Sequence, residues 1–377
     1  MSLLKRAALG LAAPVLALVV AGVIASLVLL ATGDDVAGFW DTLLTWPQGR
    51  NIVNILNASA ILYISGVAAA IGFRMNLFNI GVEGQYRVAA FAAAAFAGAG
   101  WLPGKLNTFV AILVAMLAGA LWAGIAGLLR TTRGVSEVIS TIMLNAIAGS
   151  LVGYFLTRIG TSTGNSRATK TIDEGSWVGG ITIFGDSPTK LFGLSLIAVV
   201  VGVLFWLLLN RTRFGFDLRA SGASESAAIA SGVNVKKMIV IAMLLSGAVA
   251  GLIGIPTLFG EAHNYGSSFQ TGIGFAGIAV ALLGRNNPVG IAFGALIFAF
   301  LSEQGNLLNI LVGISPDIIA VTQGVIVMAV VIAYEVVRRY RARLEQASVA
   351  EHFEKGPTDQ PKSWWRSGAS GLEETMT

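Results

Sequence analysis

The chain has 377 residues, 55% of them hydrophobic and only 12% charged, with a mean hydropathy of +0.75 and a formal net charge of +5. Soluble domains carry about a quarter charged residues, so this composition excludes a soluble fold and describes an integral membrane protein. With no cysteine and two histidines, His263 and His352, it also excludes disulfide frameworks, thiolate metal sites and cysteine nucleophiles.

A bilayer core takes roughly 20 apolar residues per helix. Lys5 and Arg6 precede an uncharged run from Ala7 to Thr32, too long for the core of a secretory signal, and the first span is placed at 8–31. The second, 52–73, is followed by the polar stretch "FNIGVEGQYR" (78–87) and a short run at 85–101. Spans follow at 107–129 and 137–157, then a polar loop from Arg158 to Lys190 that contains Trp177 and a candidate hairpin at "GGITIFGD". After a span at 191–209 comes the charged loop 210–237, and then a span at 238–258. A second polar break, "FGEAHNYGSSFQTG", leads to a short run at 273–284. The turn "GRNNPVG" (284–290) opens a span at 289–305, and the last lies at 316–336. The expected fold is therefore all-α: a transmembrane domain over 1–343 with about ten spans, nine or eleven remaining open, and a polar cytoplasmic tail over 344–377.

Lysine and arginine concentrate in cytoplasmic loops. Lys5, Arg6, Arg130, Arg133, Arg211, Arg213, Arg219, Lys236, Lys237, Arg285 and Arg338 fall on one side under this division, which places both termini in the cytoplasm. The net positive charge is mostly this bias and gives no reason to invoke nucleic acid. Each of the runs 52–73 and 238–258 is followed by a Gly-containing polar break and a short apolar run, and the two blocks start five spans apart. That is the hydropathy of an inverted repeat with interrupted helices meeting at a central pathway. Polar backbone at membrane depth survives only where protein or water satisfies it, so both breaks should face the interior.

Four stretches carry more than periodicity: "FNIGVEGQ" (78–85), "GVSEVISTIMLNAIA" (134–148), "FGFDLRASGASESAAIASGV" (214–233) and "GFAGIAVALLGRNNPVGI" (274–291). In this order they resemble the permease subunits of bacterial ABC importers over about residues 50–336, within the ribose, branched-chain amino acid and nucleoside superfamily. The wording is most similar to the nucleoside permeases served by basic membrane lipoproteins. Tyr86 stands where such permeases usually carry methionine, and Ser136 where many carry asparagine. The resemblance implies import across the bacterial plasma membrane by a non-enzymatic chain, with a cytoplasmic ABC ATPase, a second related permease and an extracellular substrate-binding lipoprotein as partners. No G-x-x-x-x-G-K-[ST] loop occurs, so no cofactor is expected on this chain, and ATP and Mg would belong to the ATPase.

Within this frame a small polar solute would meet Asn79, Gly81, Glu83, Gly84, Gln85, Asn145 and Phe275. Each has a second reading. Glu83, an acid in a span, either lines or gates the path, carries a proton, or acts as glue by pairing with Arg74 or Arg87 or by accepting N–H bonds from its own break. Asn79 and Gln85 suit a solute rich in hydroxyl and amide groups, or cap a helix around Gly81 and Gly84. Asn145 meets solute or bonds another helix; Phe275 stacks on a base or packs against helix or lipid. In the loop, Ser224 as cap and Gly232 as stop predict a short helix. The resemblance assigns ATPase coupling there to Gly222, Glu225, Ala227, Ala228 and Gly232, and Arg219 joins them. Glu261 and His263 lack a companion nucleophile and suit contact with a docked receptor. The rival readings are a sugar permease and an ion-coupled transporter working without ATP.

Overall fold

The computed structural model describes residues 19–339 except 164–165, 186–187, 267–268, 316, 331, 334–335 and 337–338, so the expected tail over 344–377 and the start of the first span lie outside the described residues. Ala21–Met328 forms one compact unit. The described residues of the other, Met1–Val20 with Ala329–Thr377, are helical.

The chain runs α1 (Val19–Thr32), α2 (Val36–Leu44), α3 (Gly49–Phe73), α4 (Val82–Ala99), α5 (Gly104–Arg133), α6 (Glu137–Ile159), strands β1 (Thr161–Thr163) and β2 (Ser166–Ala168), α7 (Ile197–Arg211), α8 (Arg213–Ala223), α9 (Glu225–Ala230) and α10 (Val235–Ala250). It continues with the single turn α11 (Ile255–Thr257), a π-helical turn (Leu258–Ala262), α12 (Ile273–Leu283), α13 (Pro288–Val312) and α14 (Asp317–Val330). Among the described residues, six segments are long and apolar enough to cross a membrane: α3, α5, α6, Gly193–Arg211, Val235–Ala262 and α13. The shorter apolar helices α1, α12 and α14, together with α4, make up an all-α polytopic fold.

Small residues set the closest packing. An added Cβ at Gly119 of α5 would lie 2.2 Å from the Gly247 carbonyl of α10, and one at Gly251 would lie 2.3 Å from the Ala115 carbonyl. Helices in lipid associate through such close backbone approach. The other side of α5 exposes Leu113, Leu117 and Leu121, which is a lipid-facing pattern.

Several boundaries move from the sequence expectation, each for a local reason. The segment expected as a span at 238–258 breaks at Ala250, where Gly251, Gly254 and Pro256 interrupt the helix into turns. Helix α13 runs past 305 to Val312, since "NLLNILV" carries no breaker before Gly313 at φ 74°, and buried Gln304 donates to the Thr42 and Leu43 carbonyls at the end of α2. The charged loop holds two helices rather than one: α8, capped by Thr212 accepting from Gly215 N at 3.0 Å, precedes α9, which Ser224 caps by accepting from Ala227 N at 3.3 Å. Gly232 follows with φ 84°, the expected stop.

The polar loop after α6 forms the β1–β2 hairpin, and Ile181 pairs with Leu191 near the predicted hairpin. The loop is laced to the segment after α11: Thr169 N donates to Tyr265 O at 2.8 Å, Ile172 N to His263 O at 2.8 Å and Val178 N to Phe259 O at 3.0 Å. Trp177 stacks on His263 with ring centroids 3.8 Å apart. Burial pushes the His263 imidazole below its ordinary pKa against the opposing charge of Glu261, which favours the neutral ring in this stack.

Candidate functional site: paired helix interruptions and a polar cavity

The two interruptions meet. The Glu83 carboxylate, in the first turn of α4 and 4% exposed, accepts from Gly272 N at 2.9 Å and from Gly274 N at 2.8 Å, at the start of α12. One acid therefore sits at the N-terminal turns of both short helices, where orphan N–H groups and the helix dipoles favour negative charge. Its partners are the backbone of the opposite break, not Arg74, Arg87 or its own break as the glue reading had it. Two further contacts hold the same junction: Tyr86 Oη donates to Gln270 O at 2.9 Å, and Ser65 Oγ of α3 donates to Ile273 O at 2.9 Å. Tyr86 thus reaches the second break through its hydroxyl, a contact a methionine at this position could not make.

The first break is tied down in a matching way. Asn79 Oδ1 accepts from Gly81 N at 2.9 Å and from Gln85 Nε2 at 3.0 Å, while Asn79 Nδ2 donates to Ser246 Oγ of α10 at 2.8 Å. Both amides are buried and occupied by protein partners. Asn145 of α6 accepts from Gly84 N at 2.8 Å and donates to Ile80 O at 2.9 Å, satisfying break backbone across helices. Gly81 and Gly84 allow this approach: a Cβ at Gly84 would lie 2.8 Å from Asn145 Oδ1. Glu137 pairs with Arg130 at 3.4 Å, and its other oxygen accepts from Phe78 N at 3.4 Å. In this arrangement Asn79, Glu83, Gln85 and Asn145 spend their polar atoms on backbone, on one another and on the Ser246 hydroxyl.

Open polar space lies beside the second break. A cavity of about 500 Å³ is bounded by α3, α12, α13 and the loop before α7, and is lined by Asn54, Asn57, Glu261, Gln270, Glu303 and Asn306 among others. Among the described residues, no lysine or arginine lines it. Phe275 is half exposed and lies outside the lining. Asn54, Gln270 and Glu303 were not singled out from sequence. The available signals were a lone acid inside the apolar run of α13 and two asparagines three residues apart on α3.

At the opposite end, the turn before the first break is docked on α8. A Cβ at Gly222 would lie 2.4 Å from the Arg74 carbonyl and 3.0 Å from Met75 Cα. Arg74 Nε donates to Asn286 O at 2.9 Å, in the turn between α12 and α13. The Arg74 guanidinium has its pKa lowered first by burial and then by the Arg219 charge. Glu225 and Ala227 are exposed on α9, whereas Ala228 is buried against the bundle. A groove of about 720 Å³ runs along α8, α9 and the start of α10.

The family described as "Branched-chain amino acid transport system / permease component" matches residues 51–334. The guanosine ABC transporter permease protein NupP of Bacillus subtilis (strain 168) is 32% identical over 334 residues, covering 86% of this chain and 93% of that one. The nucleoside ABC transporter permease protein NupB of Lactococcus lactis subsp. cremoris (strain MG1363) is 30% identical over 85% of this chain and 90% of its own. The glucose ABC transporter permease protein TsgB13 of Haloferax volcanii is 28% identical over 87% of this chain and 88% of its own. With its interrupted helices inside a polytopic bundle and a match spanning most of its length, this chain belongs to the branched-chain amino acid transport system permease family.

Proposed function

We propose that this chain is one permease subunit of an ABC importer and moves a nucleoside-like solute inward across the bacterial plasma membrane. The observation that carries the reading is the polar cavity beside the second interruption, whose amides and carboxylates match a solute rich in hydroxyl and ring N–H groups. The guanosine and nucleoside relatives support that solute class. The glucose relative favours a sugar as the second reading.

The excess of Arg and Lys around α8 and α9 supports a cytoplasmic position for that end, and an even number of spans would bring both termini to the same side. The cavity and the loop over it then face outward, where a substrate-binding lipoprotein would dock and release solute. A cytoplasmic ATPase, which would hold ATP and Mg, grips α9 through its exposed side and the adjoining groove. Its closure moves α8, and the contact of Gly222 with Arg74 and Met75 passes that displacement to the first break. Break, α4, Glu83 and α12 form one connected chain to the cavity wall, so a rigid-body shift at one end changes access at the other. A second related permease supplies the rest of the path.

The test is uptake in proteoliposomes. The chain with its partner permease, ATPase and receptor should accumulate guanosine only when ATP is supplied. Accumulation by the purified chain alone, driven by an ion gradient without ATP, would overturn the importer assignment.

A further inference from the structure

Glu303 is an ionisable residue well inside α13, and no described lysine or arginine forms an ion pair with it. An acid at such depth is costly and marks a functional site by default. It is also held in place: Asn54 Nδ2 of α3 donates to Glu303 Oε1 at 2.8 Å. Both residues are half-buried and both line the cavity. An amide that fixes one carboxylate oxygen while the group borders open polar space leaves acceptor capacity directed at whatever fills that space. A pair of neighbouring hydroxyls is one donor set that fits adjacent acceptor sites on a carboxylate, and an acid takes the ribose 2′-hydroxyl in dinucleotide sites.

We propose that Glu303, positioned by Asn54, reads the vicinal diol of the solute and is a specificity-determining residue of this permease. The assignment rests on the nucleoside reading for the identity of the solute, but its own chemistry is the diol. Asn54 acts through Glu303 as a positioning residue. Glu261 and Gln270, which also line the cavity, are left for the remainder of the solute. Because a site built to hydrogen-bond a hydroxyl rejects the analogue that lacks it, discrimination should reside in the permease as well as in the receptor.

Equilibrium binding of tritiated guanosine and 2′-deoxyguanosine to the purified complex of permeases and ATPase, without the receptor, measures this. The wild type should bind guanosine about tenfold or more tightly than the deoxy analogue, as expected for loss of a charge-assisted hydrogen bond. Glu303→Gln should bring the two affinities together by weakening guanosine alone, and Glu303→Asp should restore part of the difference. Gln keeps a carbonyl for Asn54, and gel filtration checks that the variant remains assembled. A wild type that binds both nucleosides equally, or a Glu303→Gln variant that keeps the ratio, would overturn the assignment. If the wild type binds D-ribose and no nucleoside, and Glu303→Gln abolishes that binding, the nucleoside reading fails while the diol assignment stands. If none of these ligands binds, both fail.

Discussion

Glu83→Gln should lower the thermal unfolding midpoint of the purified chain, and Glu83→Ala should lower it further. The carboxylate serves two backbone donors, part-buried Gly272 N at 2.9 Å and buried Gly274 N at 2.8 Å. Glutamine retains one acceptor and turns an NH₂ toward the other donor, leaving a buried N–H unsatisfied at a cost of about 1–3 kcal/mol. Alanine abandons both donors, for a loss of roughly 2–6 kcal/mol. Neither variant can relax easily, because Gly274 already touches α4: a Cβ there would lie 2.3 Å from Glu83 N. Fluorescence-detected gel filtration after heating reads the effect directly. An unchanged midpoint accompanied by lost uptake would instead make Glu83 a residue that solute passes, with its two hydrogen bonds dispensable.

Gly222→Val should separate ATP hydrolysis from transport. The valine Cβ would overlap the Arg74 carbonyl, 2.4 Å away, so α8 must lift from the turn that begins the first break. Overpacking of this kind costs about 1–3 kcal/mol, which reduces the docked population roughly tenfold if docked and lifted states are otherwise balanced. Uptake should fall by that order while the ATPase, which would hold α9, stays bound and continues to hydrolyse ATP. Gly232→Ala is the matched control. Its φ of 84° makes alanine strained, but nothing lies within 4 Å of the added Cβ, so it perturbs the end of α9 without touching the break. Both activities measured in the same vesicles check the prediction; equal loss of hydrolysis and uptake in Gly222→Val would remove α8 from the coupling route.

How far the sequence revealed this arrangement follows from how local each feature is. Helices α3, α5 and α6 were legible because long apolar runs can only be spans, and glycines such as Gly134, with φ 67°, mark where they stop. The two polar breaks were legible for the converse reason. Helix α8 was not: "RFGFDLRASGA" has two glycines and mixed polarity, and its helix depends on packing, with Gly215 against the Leu208 carbonyl and Gly222 against Arg74. The partner of Glu83 lies 189 residues away, so spacing suggested nearby arginines where topology supplies the opposite break. The cavity is drawn from α3, α12, α13 and two loops, and no motif joins Asn54 to Glu303. The same distance in sequence explains why Asn79 and Gln85 read as solute contacts: Gln85 bonds Asn79, and Asn79 in turn donates to buried Ser246, which comes from α10.

Solute should occupy the outward cavity beside the second interruption. The chain has no cysteine, so Asn306→Cys places a single thiol in the cavity wall. A membrane-impermeant maleimide applied from outside to cells carrying the whole importer should label this thiol, and guanosine should slow the labelling. Labelling that reaches the thiol only from the cytoplasmic face, or that guanosine leaves unchanged while the importer still transports it, would show that solute does not occupy this cavity from outside.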